Sequence, residues 1–136
     1  MSSAPVRKPV SAWTDPRHRQ GYEGECAAIR YLVRQGWRIE AHRFRLARHD
    51  LDLVARRREV VAFIEVKTRR SNRFGEPEEA VGGRKRLILQ RLAEIWRARF
   101  GRAGDRYRFD VIAVREGQSP CPQITHIEDA WRGVEK

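Results

Sequence analysis

No run of apolar residues in this 136-residue chain is longer than five, Val60 to Ile64. A membrane-spanning helix needs about 20, so the sequence predicts none. Met1 to Val10 carries charge and proline but no apolar segment, and does not read as a secretory signal. Cysteine is equally scarce. Cys26 and Cys121 lie 95 positions apart, without a C-x-x-C and without clustered histidines, a pattern that fits neither a disulfide scaffold nor a zinc site. These absences lead to the expectation of a reduced, cytoplasmic protein. Lysine is the third scarcity: of 29 basic residues only Lys8, Lys67, Lys85 and Lys136 are lysines, the other 25 being arginine. Where arginine is the default cation, each retained lysine raises the question of why an ammonium is needed there.

What the chain has is positive charge. The 29 basic residues face 18 acidic ones, for a formal charge of +11 and a pI near 10.9. Such an excess suits a polyanionic partner, most simply nucleic acid, although a plainly basic surface gives the same number. The length fits one domain with one modest core. Residues 1–19, with three prolines and no periodicity, read as a disordered basic arm, 20–132 as the folded domain and 133–136 as a tail.

Within the domain, Gln20 to Gln35 has helical spacing, with Gly36 as its stop. Ala28, Ile29 and Leu32 share a face with Tyr22 nearby, and Glu25 lies on that same apolar face. A carboxylate directed inward is either paired or used chemically. Three strand-like runs follow, Trp37–Leu46, Asp50–Arg56 and Val60–Thr68. Arg69–Glu79 reads as a polar loop, and Gly83–Phe100 as a second helix with Ile88, Leu92, Ile95 and Trp96 inward. Tyr107–Val114 and Gln123–Ile127 read as strands and Glu128–Arg132 as one helical turn. The order helix, three strands, helix, two strands predicts an α/β fold, a mixed β-sheet flanked by helices.

The chemistry gathers around Asp52 and Glu65-Val66-Lys67. A two-residue connection at Arg58-Glu59 sets Asp52 opposite Glu65 and Asp50 opposite Lys67. Alternation puts Leu51, Leu53, Ala55, Val60, Ala62, Ile64 and Val66 on one face of this hairpin. Val54, Val61 and Phe63 share the other with the charges, so the acids stand at one end of a largely buried hairpin. Two carboxylates on neighbouring strands can share a hard cation such as Mg2+, or Mn2+ in its place. A metal so held lowers the pKa of a bound water and offsets charge on a phosphate in transit. Lys67 points the same way, with a compact ammonium suited to an attacking water or a phosphate oxygen. Alternating charges on an exposed hairpin produce the same E-x-K tripeptide with no chemistry at all.

Longer matches narrow the choice. Gly24-Glu25, Ala28 and Tyr31-Leu32 are followed by Asp50-Leu51-Asp52-Leu53-Val54 and Phe63-Ile64-Glu65-Val66-Lys67-Thr68-Arg69. Phe74-Gly75, Ala80-Val81, Lys85 and Arg108-Phe109-Asp110-Val111-Ile112 come next, in order. From Gly21 to about Trp131 the chain resembles the YraN-type family, a bacterial group often labelled predicted endonuclease. That family is in turn similar to the restriction-endonuclease-like superfamily with its PD-(D/E)xK metal site, and within it to archaeal Holliday-junction resolvases. The resemblance implies a restriction-endonuclease-like core, Asp52 and Glu65 as metal ligands, Lys67 as catalytic lysine and Glu25 as an accessory acid or ligand. It also implies a Mg2+-dependent endonuclease acting on structured or branched DNA, working as a homodimer. One departure stands out: where the family usually reads Gly-Glu-Ile-Asp, this chain has His49-Asp50-Leu51-Asp52. That alters the turn into the strand and replaces a glutamate by the shorter Asp50.

Other residues have plainer alternatives. Arg84 and Lys85, at a helix start behind Gly82-Gly83, suit a phosphate or merely solvate a first turn. Arg69, Arg70 and Arg73 follow the acidic strand and suit backbone phosphates of DNA. Asp110 is either structural or paired with a basic residue near the site. For His18, His42, His49 and His126 a surface or core role is the simpler reading, and Trp13, Trp37, Trp96 and Trp131 read mostly as core. Two rivals to the nuclease remain: a nucleic-acid-binding module of the same fold without turnover, and a basic assembly protein associated with a polyanion such as the ribosome.

Overall fold

A computed structural model of the protein describes residues 16–69, 82–117 and 120–133, with side chains from residue 21 onward. Its elements are α1 (Pro16–Arg34), β1 (Arg38–Leu46), β2 (His49–Arg57), β3 (Val60–Arg69), α2 (Gly83–Phe100), β4 (Arg106–Arg115) and β5 (Gln123–Trp131). The five strands form one sheet in sequential order. Three pairings are antiparallel; β3 and β4 run parallel because α2 carries the chain between them. The expected mixed sheet flanked by helices is thus present. No helix among the described residues is long and apolar enough to cross a membrane.

The helices cover opposite faces. Ala27, Ala28 and Leu32 of α1 pack on Leu53, Ala55, Ala62, Ile64, Ile112 and Val114. Leu89, Leu92, Ala93 and Trp96 of α2 pack on Val54, Val61, Phe63 and Val111. Trp96 meets Phe63 edge-on at 5.8 Å between ring centroids, an arrangement that adds to the area it buries. Truncating a buried Trp of this kind to alanine costs about 3–5 kcal/mol. Gly36, at φ 89, stops α1 as expected: Trp37 N–H returns to Leu32 O at 2.9 Å.

Four details differ from the sequence reading. The first helix begins at Pro16 rather than Gln20, taking in residues assigned to the arm. In α2 it is Leu89 that is buried, with Ile88 and Ile95 only packed against the core. Leu51 joins Phe44 and Leu89 on the α2 side instead of staying with Leu53. Finally, Glu128–Arg132 is no helical turn: β5 runs on to Trp131. A register shift at Phe109/Val111 makes this possible, with Asp129 at φ 50 and Trp131 stacked on Phe109 at 3.9 Å. A bulge absorbs the extra residues, so polar Glu128 and Asp129 need not end the strand.

Candidate functional site

The β2–β3 ladder runs from Arg57↔Val60 to Leu53↔Ile64. This is the register expected from a two-residue turn, in which Arg58 adopts φ 57 without glycine's help. The ladder ends one residue short of Asp52 and Glu65, whose side chains nonetheless lie close enough to interact, and it does not reach Asp50 and Lys67. On the other side of β2 the pairing passes from His42↔Leu53 to Phe44↔Leu51, leaving Arg43, at φ 57, and Asp52 between. The register is the same on either side of these two residues; the shift in this pairing lies earlier, between Ile39 and Ala41. Asp52 Oδ2 accepts the Val66 N–H at 2.8 Å. The carboxylate thereby satisfies a backbone donor where the strands part.

Glu65 is 3% exposed. Its Oε1 accepts from Lys85 Nζ at 3.2 Å, while Oε2 is buried with no hydrogen-bond partner among the described residues. Burial raises the Asp52 pKa well above the usual carboxylate range, and the charges of Glu65 and Glu25 add to it. Glu65 is also raised, chiefly by burial, with Lys85 and Lys67 opposing without cancelling it. A proton on Asp52 lies within reach of Glu65. When both are ionised neither can donate, and Oε2 is left without a donor. An unpaired buried acceptor is expensive to keep.

Elements on both faces frame this pair. Burial pulls the Lys85 pKa down, but the Glu65 charge outweighs it and the net shift is upward, so Lys85 is held as ammonium. Lys67 shares the Glu65 face two residues along β3 and lowers the Glu65 pKa through its charge. From α1 comes Glu25, bound by His42 Nε2 at 2.6 Å and by Arg43 Nε and Nη2 at 2.8 and 3.2 Å. Burial acts to raise Glu25, but the His42 and Arg43 bonds prevail and its pKa is lowered. Glu25 is therefore an ionised acid engaged with the Arg43 guanidinium and the His42 imidazole, close enough for its charge to be felt at Asp52. Gly24 lets α1 approach this closely: a Cβ there would overlap Thr68 Oγ1, immediately after Lys67.

The other expected site residues are spread more widely. Asp50 is partly exposed and pairs loosely with Arg45 at 3.8 Å. Arg69 ends β3, its Nη1 donating to Thr68 O at 3.0 Å, and Arg84 is exposed on α2. Arg70 and Arg73, with the matching residues Phe74, Gly75, Ala80 and Val81, lie outside the described residues. Asp110 is level with Ile64 and so faces α1. It is bound by Arg108, His126 Nε2 at 2.7 Å and Asp129 N at 2.9 Å. This pairing with a basic residue belongs to the β4–β5 bulge rather than to the acidic pair. His42 and Arg43, which hold Glu25, were not singled out by the sequence for that role. Their only signal is position, on the strand paired beside Asp52. Among the described residues no group of three or more His, Cys, Asp and Glu gathers as a metal cage; the site offers two carboxylates. Mg2+ is often bound in this way, through one or two carboxylates and several retained waters.

Residues 24–114 match the profile of a family described as "Uncharacterised protein family UPF0102". The chain belongs to that family. It is 46% identical to a UPF0102 protein of Moorella thermoacetica over 101 residues, covering 74% of this chain and 84% of that one. A UPF0102 protein of Rhodococcus jostii is 40% identical over 111 residues, covering 82% and 94%. One from Symbiobacterium thermophilum is 43% identical over 113 residues, covering 83% and 96%. The matched span contains Glu25, Asp52, Glu65, Lys67 and Lys85, so the acidic pair and both lysines lie in the part that defines the UPF0102 family.

Proposed function

We propose that this UPF0102 protein is a metal-dependent DNA endonuclease of the restriction-endonuclease-like class, acting on structured or branched DNA. The observation that carries the reading is Glu65 Oε2, a buried carboxylate oxygen with no donor, beside a second desolvated carboxylate on Asp52. Two such groups held together against their mutual repulsion fit a divalent cation, and Asp52 and Glu65 would hold Mg2+ or Mn2+. A cation bound there supplies Lewis-acid polarisation of a phosphodiester and a water of lowered pKa.

The remaining work belongs to the chain's own side chains. Lys67 orients the attacking water or neutralises a phosphate oxygen as water displaces the leaving sugar oxygen at phosphorus. Arg43 keeps Glu25 ionised and in place, and Glu25 adds negative potential at Asp52. The positive surplus, Arg69 and Arg84 included, tracks the phosphate backbone. A homodimer would present two such centres to a branched substrate.

The test is incubation of purified protein with Mg2+ or Mn2+ and linear, flapped and four-way DNA, beside Asp52→Asn and Lys67→Met. Metal-dependent cleavage by the wild type that falls at least about 10²-fold in each variant is the expected outcome. Equal cleavage by all three identifies a contaminant and overturns the reading. Tight DNA binding with no cleavage of any substrate favours the binding module instead.

A further inference from the structure

The acidic pair already has a cation beside it, the ammonium of Lys85. It reaches Glu65 Oε1 from the first turn of α2 at 3.2 Å, while its own side chain stays 47% exposed. Its two basic neighbours on α2 are placed differently. Arg84 is exposed and lines a separate apolar groove with Leu87 and Leu46, and Arg86 stands over the Trp131 ring at 5.6 Å. The position is also one of only four lysines among 29 basic residues. An ammonium is compact, flexible and carries no rigid fork, so it can leave a carboxylate without rearranging a bidentate clamp. Lys85 covers only one oxygen; Oε2 and Asp52 are left for a stronger charge.

We infer that Lys85 is a placeholder cation: it neutralises Glu65 in the metal-free protein, yields Glu65 when a divalent cation is bound, and then offers its ammonium to a substrate phosphate. The inference rests on the metal-binding part of the reading above and deepens it. Three observations make the exchange physically cheap. The bond is single and its donor half-exposed, so its loss is compensated by water. Glu65 does not lose a counter-charge, because a divalent ion replaces the ammonium. A phosphate drawn to a divalent cation held by the pair would meet the ammonium of Lys85 beside it, in the N-terminal turn of α2, where the helix dipole also favours an anion.

Two measurements on the full chain without DNA test this. The first is calorimetric titration with Mn2+ at pH 8 of the wild type, Lys85→Met and Arg84→Met. Removing a competitor tightens metal binding, so Lys85→Met is expected to bind about fivefold more tightly, the scale of a half-exposed ion pair. Arg84→Met removes the same charge one residue away and reports the general field; it is expected to change binding by less than about twofold. Equal tightening in both variants means bulk charge and overturns the inference. The second measurement is brief reductive methylation of the wild type, read lysine by lysine, with and without saturating Mg2+. Release from Glu65 is expected to raise Lys85 modification several-fold while Lys8 stays constant. Because this arm uses the unaltered chain, it stands whether or not a variant folds. Metal binding with unchanged Lys85 reactivity overturns the placeholder role alone. No metal binding in any variant removes both this role and the metal-dependent reading.

Discussion

Two sets of buried acids in this molecule are built in opposite ways. Asp110 has a fully buried side chain and every approach to it is filled: Arg108 Nε and Nη2 at 3.0 and 3.1 Å, His126 Nε2 at 2.7 Å and Asp129 N at 2.9 Å. Asp105 resembles it, held by both Nη atoms of Arg56, by Tyr107 Oη and by Arg102 N. Glu65 on β3, next to β4, and Asp52 on β2, beyond it, have among the described residues one backbone donor, one half-exposed ammonium and one oxygen without a donor. The first two acids hold the fold together: Asp110 pins the β4–β5 bulge, and Asp105 ties Arg56 of β2 to the segment before β4. The other two work against it, since desolvated like charges disfavour their own ionised forms. A fold retains such a local cost where the site is used for binding, and stability and function then pull apart.

That contrast can be broken most directly at Asp110. Asp110→Asn keeps the shape but removes the charge facing Arg108 and weakens the anchor for the Asp129 N–H. Loss of one partner of a buried ionic group costs about 3 kcal/mol, and for a domain of this size that lowers Tm by about 10 °C. Urea or thermal unfolding measures it. A variant as stable as the wild type would mean that the satisfied acids are no more structural than the unsatisfied ones.

At the acidic pair the sign reverses. Asp52→Asn leaves an oxygen to accept the Val66 N–H, removes the repulsion with Glu65 and supplies an amide donor that can reach Oε2. The expected result without metal is a gain of about 1 kcal/mol, or a Tm higher by a few degrees. If the acidic pair binds Mg2+ as proposed, millimolar Mg2+ should raise the Tm of the wild type and leave that of Asp52→Asn unchanged, because binding to the folded state alone stabilises it. A variant that unfolds more easily than the wild type, with or without metal, would show that Asp52 is structural.

How much of this was legible beforehand depends on the range of the interaction concerned. The Asp52–Glu65 juxtaposition follows from a two-residue turn and strict alternation, both local, so it could be read from the chain. The Lys85–Glu65 contact spans a crossover and depends on how α2 docks, which no spacing records; from sequence Lys85 suited either a phosphate or a solvated first turn. The positive φ at Arg43 carries no signal either, since glycine, the usual marker of such a backbone, is absent. Glu128–Arg132 misread for a related reason. Its polar residues suggest a chain leaving the sheet, yet the partner that keeps Asp129 in place is Asp110, 19 positions earlier.

The smallest expected effect is on pH dependence, and it sharpens the comparison from the side of the satisfied acids. The bonds from Arg56 hold the Asp105 carboxyl well below its usual range despite burial, with Arg102 N and Tyr107 Oη assisting. Its folded pKa is therefore depressed relative to an unfolded value of about 3.9. The unfolded chain takes up a proton before the folded one does. The stability contributed by this acid is thus complete above about pH 5 and declines as pH falls through about 4 toward the folded value. Asp105→Asn removes that dependence, so the variant's stability between about pH 5 and pH 3 should fall less steeply than the wild type's. Asp52→Asn should leave this particular limb in place, because Arg56, Asp105 and Glu40 form their own cluster at the opposite end of β2 from Asp52. Parallel acid limbs in wild type and Asp105→Asn would show that the Arg56 clamp contributes nothing the unfolded chain lacks. The contrast between satisfied and unsatisfied acids would then rest on Asp110 alone.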